Sequence, residues 1–212
     1  MFVQAEEHQR LLKDRFGKDS VILKNGHPVP SHLEPKDDPP IVLWLASLKR
    51  WKHAEIFVDL AKRCEGLDCR FILAGQAPDK RYLDEVLKPM QGLANIDYVG
   101  RVTIKESNDW IGRSSVFVNT SDYEGFPNTF IQAWLRRVPV VSLNVDPDGV
   151  LSREKIGFRS ATLENLCRDV TALIKDRSLR DSMGQRARDY AIRSHSIESI
   201  TDRFLENIQS IL

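Results

Sequence analysis

The residue whose type and position most clearly suit a chemical role is Glu124, which lies in a loop between a predicted strand and a predicted helix. The apolar run of residues 115–119 indicates the strand, and Asn128 is predicted to cap the helix that follows. Gly125 and Pro127 lie in the loop between them. A strand, a Gly/Pro loop and a helix start together direct free backbone N–H groups at an anion. Glu124 would repel a bare phosphate but can bind sugar hydroxyls, so we predict a ligand with phosphate at one end and sugar at the other.

Two other groups of residues could in principle bind a metal. Residues 146–148, Asp-Pro-Asp, place two carboxylates two positions apart, which could chelate a divalent cation. Because proline stiffens this segment and Gly149 follows it, we interpret it as a tight turn and predict no metal site. The three cysteines, Cys64, Cys69 and Cys167, are odd in number and lack metal-ligand spacing, which disfavours a disulfide framework or a zinc site.

The overall composition disfavours several classes of protein. With 31 basic and 30 acidic residues the net charge is +1, which gives no field to attract nucleic acid. No apolar run reaches the roughly 18–20 residues that a bilayer span requires, and the N-terminus is charged throughout, unlike a secretory signal. The motifs G-x-S-x-G, P-loop and G-x-G-x-x-G are absent, which disfavours hydrolase, NTPase and dehydrogenase functions. We expect a cytoplasmic protein and leave association with a membrane surface open.

The elements that must position Glu124 alternate regularly between strand and helix. Such alternation, with continuous apolar strands, predicts an α/β fold: a Rossmann-like, doubly wound, mostly parallel sheet with extra C-terminal helices. Strands are predicted at residues 20–23, 41–46, 69–74, 96–99, 115–118 and 138–143. Helices are predicted at residues 5–16, 54–64, 80–90, 105–112, 128–136, 162–175, 178–194 and 197–211.

The segment from Glu124 to Ser142 resembles the signature of the family 4 (group 1) retaining glycosyltransferases, which have the two-domain GT-B fold. That signature is a glutamate in an EGFPN phrase, a second acidic residue eight positions later, and a following PVV strand. Here the phrase begins at Glu124, the second position is Gln132, and the strand carries Pro139-Val140-Val141. An amide at Gln132 can still hydrogen-bond ribose hydroxyls but supplies no negative charge.

The resemblance implies a set of site residues. Glu124 and Lys52 are the implied catalytic residues, Lys52 as a cation on the donor diphosphate. The family arginine is replaced by Ser47, and Lys49 or Arg50 could compensate for it. The implied contacts of the nucleotide sugar are Ser47, Gly75, Gly100, Val102, Phe126, Pro127, Asn128, Thr129 and Gln132. Gly75 and Gly100 could instead simply form turns between a strand and a helix. No metal or cofactor is implied beyond the nucleoside diphosphate sugar itself.

The resemblance also implies a division of the chain. Residues 1–31 resemble the end of an N-terminal acceptor domain with its linker, and residues 32–212 resemble the nucleotide-sugar-binding domain. We therefore expect the donor-binding half of a retaining glycosyltransferase, moving a hexose-type sugar to a glycan or lipid acceptor bound by a domain not present in this sequence. A non-catalytic nucleotide-sugar-binding module or regulatory subunit is the alternative, and a sugar epimerase is a weaker one. The apolar residues of the last helix (Ile197, Ile200, Phe204, Ile208 and Leu212) should either pack on residues 1–24 or stay exposed and favour dimerisation.

Overall fold

The computed structural model describes residues 1–209, and most of them form one sheet with helices on both faces. The sheet has six parallel strands in the order β5-β4-β3-β6-β7-β8. These strands are β3 (Ile41–Leu45), β4 (Arg70–Ala74), β5 (Ile96–Gly100), β6 (Val116–Asn119), β7 (Val140–Ser142) and β8 (Gly157–Arg159). Two short strands, β1 (Phe2–Val3) and β2 (Val21–Ile22), form a separate parallel pair.

The helices connect the strands and continue after the sheet is complete. The first six are α1 (Glu6–Phe16), α2 (Ala54–Arg63), α3 (Lys80–Leu87), α4 (Ile104–Arg113), α5 (Asn128–Leu135) and α6 (Val150–Arg153). Three more follow β8, namely α7 (Leu163–Lys175), α8 (Arg177–His195) and α9 (Ile197–Gln209). This architecture confirms the predicted doubly wound sheet with extra C-terminal helices.

Alternate side chains of each buried strand enter different halves of the core. On β3, Val42 and Trp44 face the side covered by α2, α3 and α7, whereas Ile41 and Leu43 face the side covered by α4, α5 and α8. All four side chains are almost completely buried. A strand buried on both faces must be apolar throughout, which is why β3 has the continuous sequence Ile-Val-Leu-Trp-Leu.

The strand order reverses beside β3, which pairs with β4 on one side and with β6 on the other. In a doubly wound sheet, the loops that follow two such neighbouring strands diverge to opposite faces and leave a crevice between them. The crevice lies at the carboxyl ends of the strands, after Leu45 of β3 and Asn119 of β6. The fold therefore provides a ligand crevice bordered by the loops that carry Lys52 and Glu124.

The N-terminal segment and α9 pack against each other. The backbone N–H of Ile197 donates to the carbonyl of His27 at 3.0 Å, and the N–H of His27 donates to the carbonyl of His195 at 2.8 Å. The rings of Phe2 and Phe204 lie 5.7 Å apart. The first of the two predicted arrangements of the last helix, packing on the N-terminal residues, is thus present, although Phe204 remains 37 % exposed. Leu212, which was counted in the apolar stripe, lies outside the described residues.

Two local features differ from the sequence prediction. No helix or strand was predicted for residues 144–161, where α6 and β8 occur. The prediction that Asn128 caps α5 was wrong: Asn128 is the first helical residue, Pro127 occupies the cap position, and no side-chain cap bond is present there. The Asn128 carboxamide oxygen instead accepts a hydrogen bond from Asn25 at 2.9 Å, because the N-terminal segment packs across the start of this helix.

Candidate active site

Lys52 and Glu124 meet in the crevice at the reversal of strand order. Lys52 lies in the loop after β3 and Glu124 in the loop after β6. The Lys52 ammonium donates a hydrogen bond to Oε1 of Glu124. Their side chains are 15 % and 14 % exposed, so the pair is largely shielded from water while still reachable from the crevice. The two residues that the family resemblance implied as catalytic are therefore direct neighbours.

A chain of hydrogen bonds fixes the backbone of the Lys52 loop. The indole N–H of Trp44 on β3 donates to the hydroxyl of Thr120 at 2.8 Å, and this hydroxyl donates to the carbonyl of Lys52 at 2.7 Å. The backbone N–H of Asp122 donates to the carbonyl of Trp51 at 3.0 Å. Because these bonds join the two loops that follow β3 and β6, they hold the positions of Lys52 and Glu124 relative to each other.

A second network orients the Glu124 carboxylate. The Ser121 hydroxyl donates to Oε1 of Glu124 at 2.9 Å, and the Asn119 amide donates to the Ser121 hydroxyl at 3.2 Å. The Ser142 hydroxyl on β7 donates to Oδ1 of Asn119 at 3.3 Å. Oε1 thus has two donors, whereas Oε2 has no protein donor within residues 1–209 and is available to a ligand.

The start of α5 supplies backbone donors to the same place. Within residues 1–209 the backbone N–H groups of Asn128 and Thr129 have no acceptor, as expected for the first turn of a helix. A cavity of about 340 Å³ lies against this helix start. Its lining includes six of the predicted site residues, namely Ser47, Lys52, Glu124, Pro127, Asn128 and Thr129. We refer to it below as the diphosphate cavity.

A neighbouring cavity of about 260 Å³ is lined by two further predicted contact residues. Gly75 and Val102 line it together with Ser47, and so do Gln76 and Arg101. Gly75 has φ +140°, and a Cβ atom there would lie 1.7 Å from the carbonyl oxygen of Ala46. The close approach that requires glycine at this position is therefore to the protein's own backbone.

Three of the predicted contact residues do not line either cavity. Phe126 is buried, and its ring lies 4.8 Å from that of His195. Gly100 has φ +72° and accepts a hydrogen bond from the Gly75 N–H through its carbonyl, which supports the turn interpretation for this glycine. Gln132 lies in the second turn of α5 and is half-buried. The roles of these three in binding remain predictions.

The two cations considered as substitutes for the family arginine differ in position. Arg50 points away and forms a two-bond ion pair with Glu85, at 2.8 and 3.0 Å. Lys49 lines the diphosphate cavity, with its ammonium 5.9 Å from the centre of the Trp51 ring. Of these two cations, Lys49 lines the cavity that Ser47 lines, and Arg50 does not.

His53 joins the two loops from the outside. Its ring nitrogens hydrogen-bond Glu55 at 2.7 Å and Asp122 at 2.8 Å. Burial lowers the pKa of His53, but the two carboxylates outweigh this effect and its pKa is raised. The imidazole is held by these carboxylates, so we assign it the role of bracing the loop rather than a direct role in binding.

Sequence reasoning missed several residues that form this region. Asn119, Thr120 and Ser121 were not predicted as site residues, although polar side chains directly after a buried strand are a signal for a site at the sheet edge. Tyr123 stacks on Trp51, with ring centroids 5.1 Å apart and planes at 8°. His8 of α1 approaches Gly125, a contact between distant parts of the chain that no local pattern could indicate.

The Asp-Pro-Asp segment binds protein groups. Asp146 accepts the N–H of Leu151 at 2.8 Å, and the carboxylate of Asp148 accepts the N–H of Glu6 at 3.1 and 3.2 Å. Across residues 1–209, no group of three or more His, Cys, Asp or Glu side chains is arranged to hold a metal ion. In the same range, no helix is both long and apolar enough to cross a membrane.

Comparison with known proteins places this fold and crevice in one family. The model of the family "Glycosyl transferases group 1" matches residues 39–176. The chain belongs to this family of glycosyltransferases. It is 23 % identical over 175 residues to alpha-D-kanosaminyltransferase of Streptomyces kanamyceticus, and this match covers 79 % of the chain and 45 % of that enzyme. The chain thus spans about half the length of the curated relatives it matches.

Solved structures share the fold. A glycosyltransferase from Rickettsia africae superposes with a TM-score of 0.87 at 17 % identity, covering 99 % of this chain and 62 % of that one. Anabaena Alr3699/HepE, solved in complex with UDP and glucose, superposes with a TM-score of 0.83 at 16 % identity, again covering 99 % and 62 %. These neighbours confirm the GT-B type of Rossmann-like domain.

Proposed function

We propose that this chain is the nucleotide-sugar-binding half of a retaining glycosyltransferase that transfers a hexose-type sugar. The single observation that carries this proposal is the convergence of Lys52, Glu124 and the free N–H groups of α5 on one crevice. The Lys52 ammonium and the helix N-terminus are both positive, and they lie with one carboxylate at the carboxyl edge of a doubly wound sheet. This combination suits a ligand with diphosphate beside sugar.

The proposed chemistry is cleavage of the bond between the anomeric carbon and the diphosphate. Negative charge grows on the leaving diphosphate, so preorganised cations and dipoles directed at it lower the barrier. Lys52 and Lys49 supply the cations, and the N–H groups of Asn128 and Thr129 supply the dipoles. Because these groups supply the positive charge, we include metal independence in the proposal.

Glu124 contributes at the sugar end. Its Oε1 is held by Lys52 and Ser121, which leaves Oε2 to accept hydrogen bonds from sugar hydroxyls. A carboxylate there also stabilises positive charge that develops on the ring as the leaving group departs. We assign the nucleotide base to the cavity lined by Gly75 and Val102. We assign the hydrogen bonds with the ribose hydroxyls to Gln132.

The nature of the donor and the acceptor half are inferred from related proteins. The HepE complex contains UDP and glucose, which supports a uridine diphosphate hexose as the first donor to test. Because the chain spans about half the length of its curated relatives, we propose that a second domain holds the acceptor. That domain would deliver the acceptor to the same face of the sugar from which the diphosphate leaves. We place this reaction in the cytoplasm.

Two departures from the family signature favour a second candidate, a non-catalytic nucleotide-sugar-binding module. Gln132 lacks the carboxylate of the signature, and Ser47 lacks its cation. Binding does not separate the two candidates, because both require it. Turnover of a radiolabelled donor does separate them, because only the enzyme candidate transfers sugar. We expect the chain alone to bind UDP without glycosylating an acceptor, and we expect transfer when an acceptor domain is supplied, since an open half-crevice leaves the reacting centre in water.

A further inference from the structure

A third cavity, of about 380 Å³, is lined by Glu124 but not by the residues at the start of α5. Four parts of the chain form it: the start of α1, the loop after β6, the loop after β7 and the end of β8. Glu124 lines both this cavity and the diphosphate cavity. A ligand in the third cavity would therefore lie next to the carboxylate that we assign to the donor sugar.

Specific contacts hold α1 against this cavity. The first helical N–H, that of Glu6, donates to both oxygens of the Asp148 carboxylate. The ring of His8 packs so closely on the loop after β6 that a Cβ atom at Gly125 would lie 3.2 Å from its Cε1. His8 thus reaches the residue directly after Glu124, although it is distant from it in sequence.

Four of the polar side chains around this cavity are not used by the fold. Glu7, His8, Asn144 and Arg159 line it, and their side chains form no hydrogen bond or ion pair within residues 1–209. Together they offer hydrogen-bond donors and acceptors of several kinds. Uncommitted donors and acceptors around one space suit a ligand with many hydroxyl groups, and they do not suit an acyl chain, which would leave them unpaired.

An exposed aromatic ring stands at the edge of the same cavity. Tyr123, the residue before Glu124, is 66 % exposed and lines the cavity. One face of its ring stacks on Trp51, at 5.1 Å and 8°, which fixes the ring and leaves the opposite face open. A rigid aromatic face beside uncommitted polar groups presents an apolar body and polar edges, which matches the two kinds of surface of a pyranose ring.

We propose that this cavity is a subsite for a saccharide acceptor, with Tyr123 as the stacking platform and His8 as a hydrogen-bonding residue. The proposal rests on the proposed function, because it places the acceptor beside the donor sugar at Glu124. It goes further in two respects: the acceptor is a saccharide rather than a lipid tail, and this chain itself, through α1 and Tyr123, contributes to its binding.

Saturation-transfer NMR on the full chain tests this proposal with methyl glycosides of glucose, galactose, mannose and N-acetylglucosamine as probes. We expect at least one probe to bind when UDP is saturating and also when UDP-glucose is saturating. Tyr123→Ala should weaken that binding by about fivefold or more, whereas Tyr123→Phe should retain it because the ring face is kept. His8→Ala should also weaken it, and His32→Ala, a change at an exposed histidine that does not line the cavity, should not.

Several outcomes would overturn the proposal. Among them are no binding of any probe, binding unaffected by Tyr123→Ala and His8→Ala, and displacement of the probe by UDP-glucose but not by UDP. The last result would assign the cavity to the donor sugar. UDP binding measured by calorimetry on the same samples keeps the two proposals separate: if UDP does not bind while Tyr123-dependent probe binding persists, the proposed function fails and the saccharide subsite stands.

Discussion

At the scale of single residues, the crevice is organised by pairs that neutralise or orient one another. Lys52 forms an ion pair with Glu124, and the Ser121 hydroxyl donates to the same carboxylate oxygen. The chain therefore keeps a cation and an anion in fixed positions at the boundary between the phosphate and sugar ends of the proposed ligand. Preorganisation of this kind avoids the cost of orienting charged groups when the reaction occurs.

Gly75 should tolerate no side chain, because the carbonyl oxygen of Ala46 lies where a Cβ atom would be. Gly75→Ala would place Cβ 1.7 Å from the carbonyl oxygen of Ala46, at a positive φ of 140°. Gly92→Ala is the matched control, since Gly92 also has a positive φ, of 90°, but has no atom within 4 Å of the added Cβ. In urea unfolding, we expect Gly92→Ala to cost about 1–2 kcal/mol and Gly75→Ala clearly more. Equal costs would mean that the loop after β3 moves away freely.

Gln132→Glu restores the residue type of the family signature and should be tolerated. Ribose hydroxyls can donate to a carboxylate as well as to an amide oxygen, so UDP affinity should stay within about 1 kcal/mol of the wild type. Isothermal titration calorimetry measures this directly. A much larger loss would indicate that Gln132 faces an acidic group or lies outside the nucleotide site.

At the scale of elements, how far the sequence predicted the fold depended on the length and pattern of each element. The amphipathic helices repeat their apolar residues at helical spacing, and the buried strands β3, β4 and β6 are largely continuous apolar runs. The positions of both were predicted within a few residues. β8 was missed because it is only three residues, Gly-Phe-Arg, too short for a periodic pattern. The contact of His8 with Gly125 could not be predicted, since it depends on how α1 packs rather than on local sequence.

His195 at the end of α8 should make the fold acid-sensitive. Its side chain is fully buried, and it hydrogen-bonds the carbonyl of Asn25 through Nδ1 at 3.1 Å. Burial lowers its pKa to about 3, and Lys24 and Arg203 add to this effect against the bond to Asn25. Because the unfolded chain takes up this proton near pH 6.5 and the folded chain near pH 3, stability falls as the pH drops through that window.

The expected size of this effect is about 2 kcal/mol of unfolding free energy between pH 7 and pH 5. His195→Gln removes the titration while keeping a side-chain donor for the Asn25 carbonyl. Urea unfolding of both proteins at the two pH values should show a pH dependence about 2 kcal/mol smaller in the variant, with other titrating groups cancelling. Parallel pH dependences in the two proteins would mean that His195 is not kept neutral by burial.

At the scale of the whole molecule, the N-terminal segment and α9 form a unit of their own beside the six-stranded core. β1 and β2 are a two-stranded parallel pair, an arrangement that is marginal unless more structure covers it. Exposed apolar side chains mark the same region, including Phe2, Phe16, Leu205 and Ile208. The assignment of residues 1–31 to the end of an acceptor domain with its linker stays a prediction.

Deleting residues 197–212 should therefore leave the core folded. The helix α9 contacts residues 1–27, whereas α8 packs on α5 and completes the core. We expect the truncated chain to keep its UDP affinity within about twofold, while its solubility or oligomeric state changes as the apolar surface around Phe2 becomes more exposed. Size-exclusion chromatography and calorimetry provide the two readouts. Global unfolding of the truncated chain would place α9 in the core instead.

The most direct test of the central claim is the affinity of this chain for UDP with and without the Lys52 ammonium. Calorimetry should show that Lys52→Ala weakens binding by about 1.5–3 kcal/mol, or roughly 10- to 150-fold, the range for hydrogen bonds to charged groups. Lys62→Ala, a change at an exposed lysine of α2 that does not line the crevice, should bind UDP like the wild type. Equal affinities for the wild type and folded Lys52→Ala, or no UDP binding by the wild type, would contradict the account.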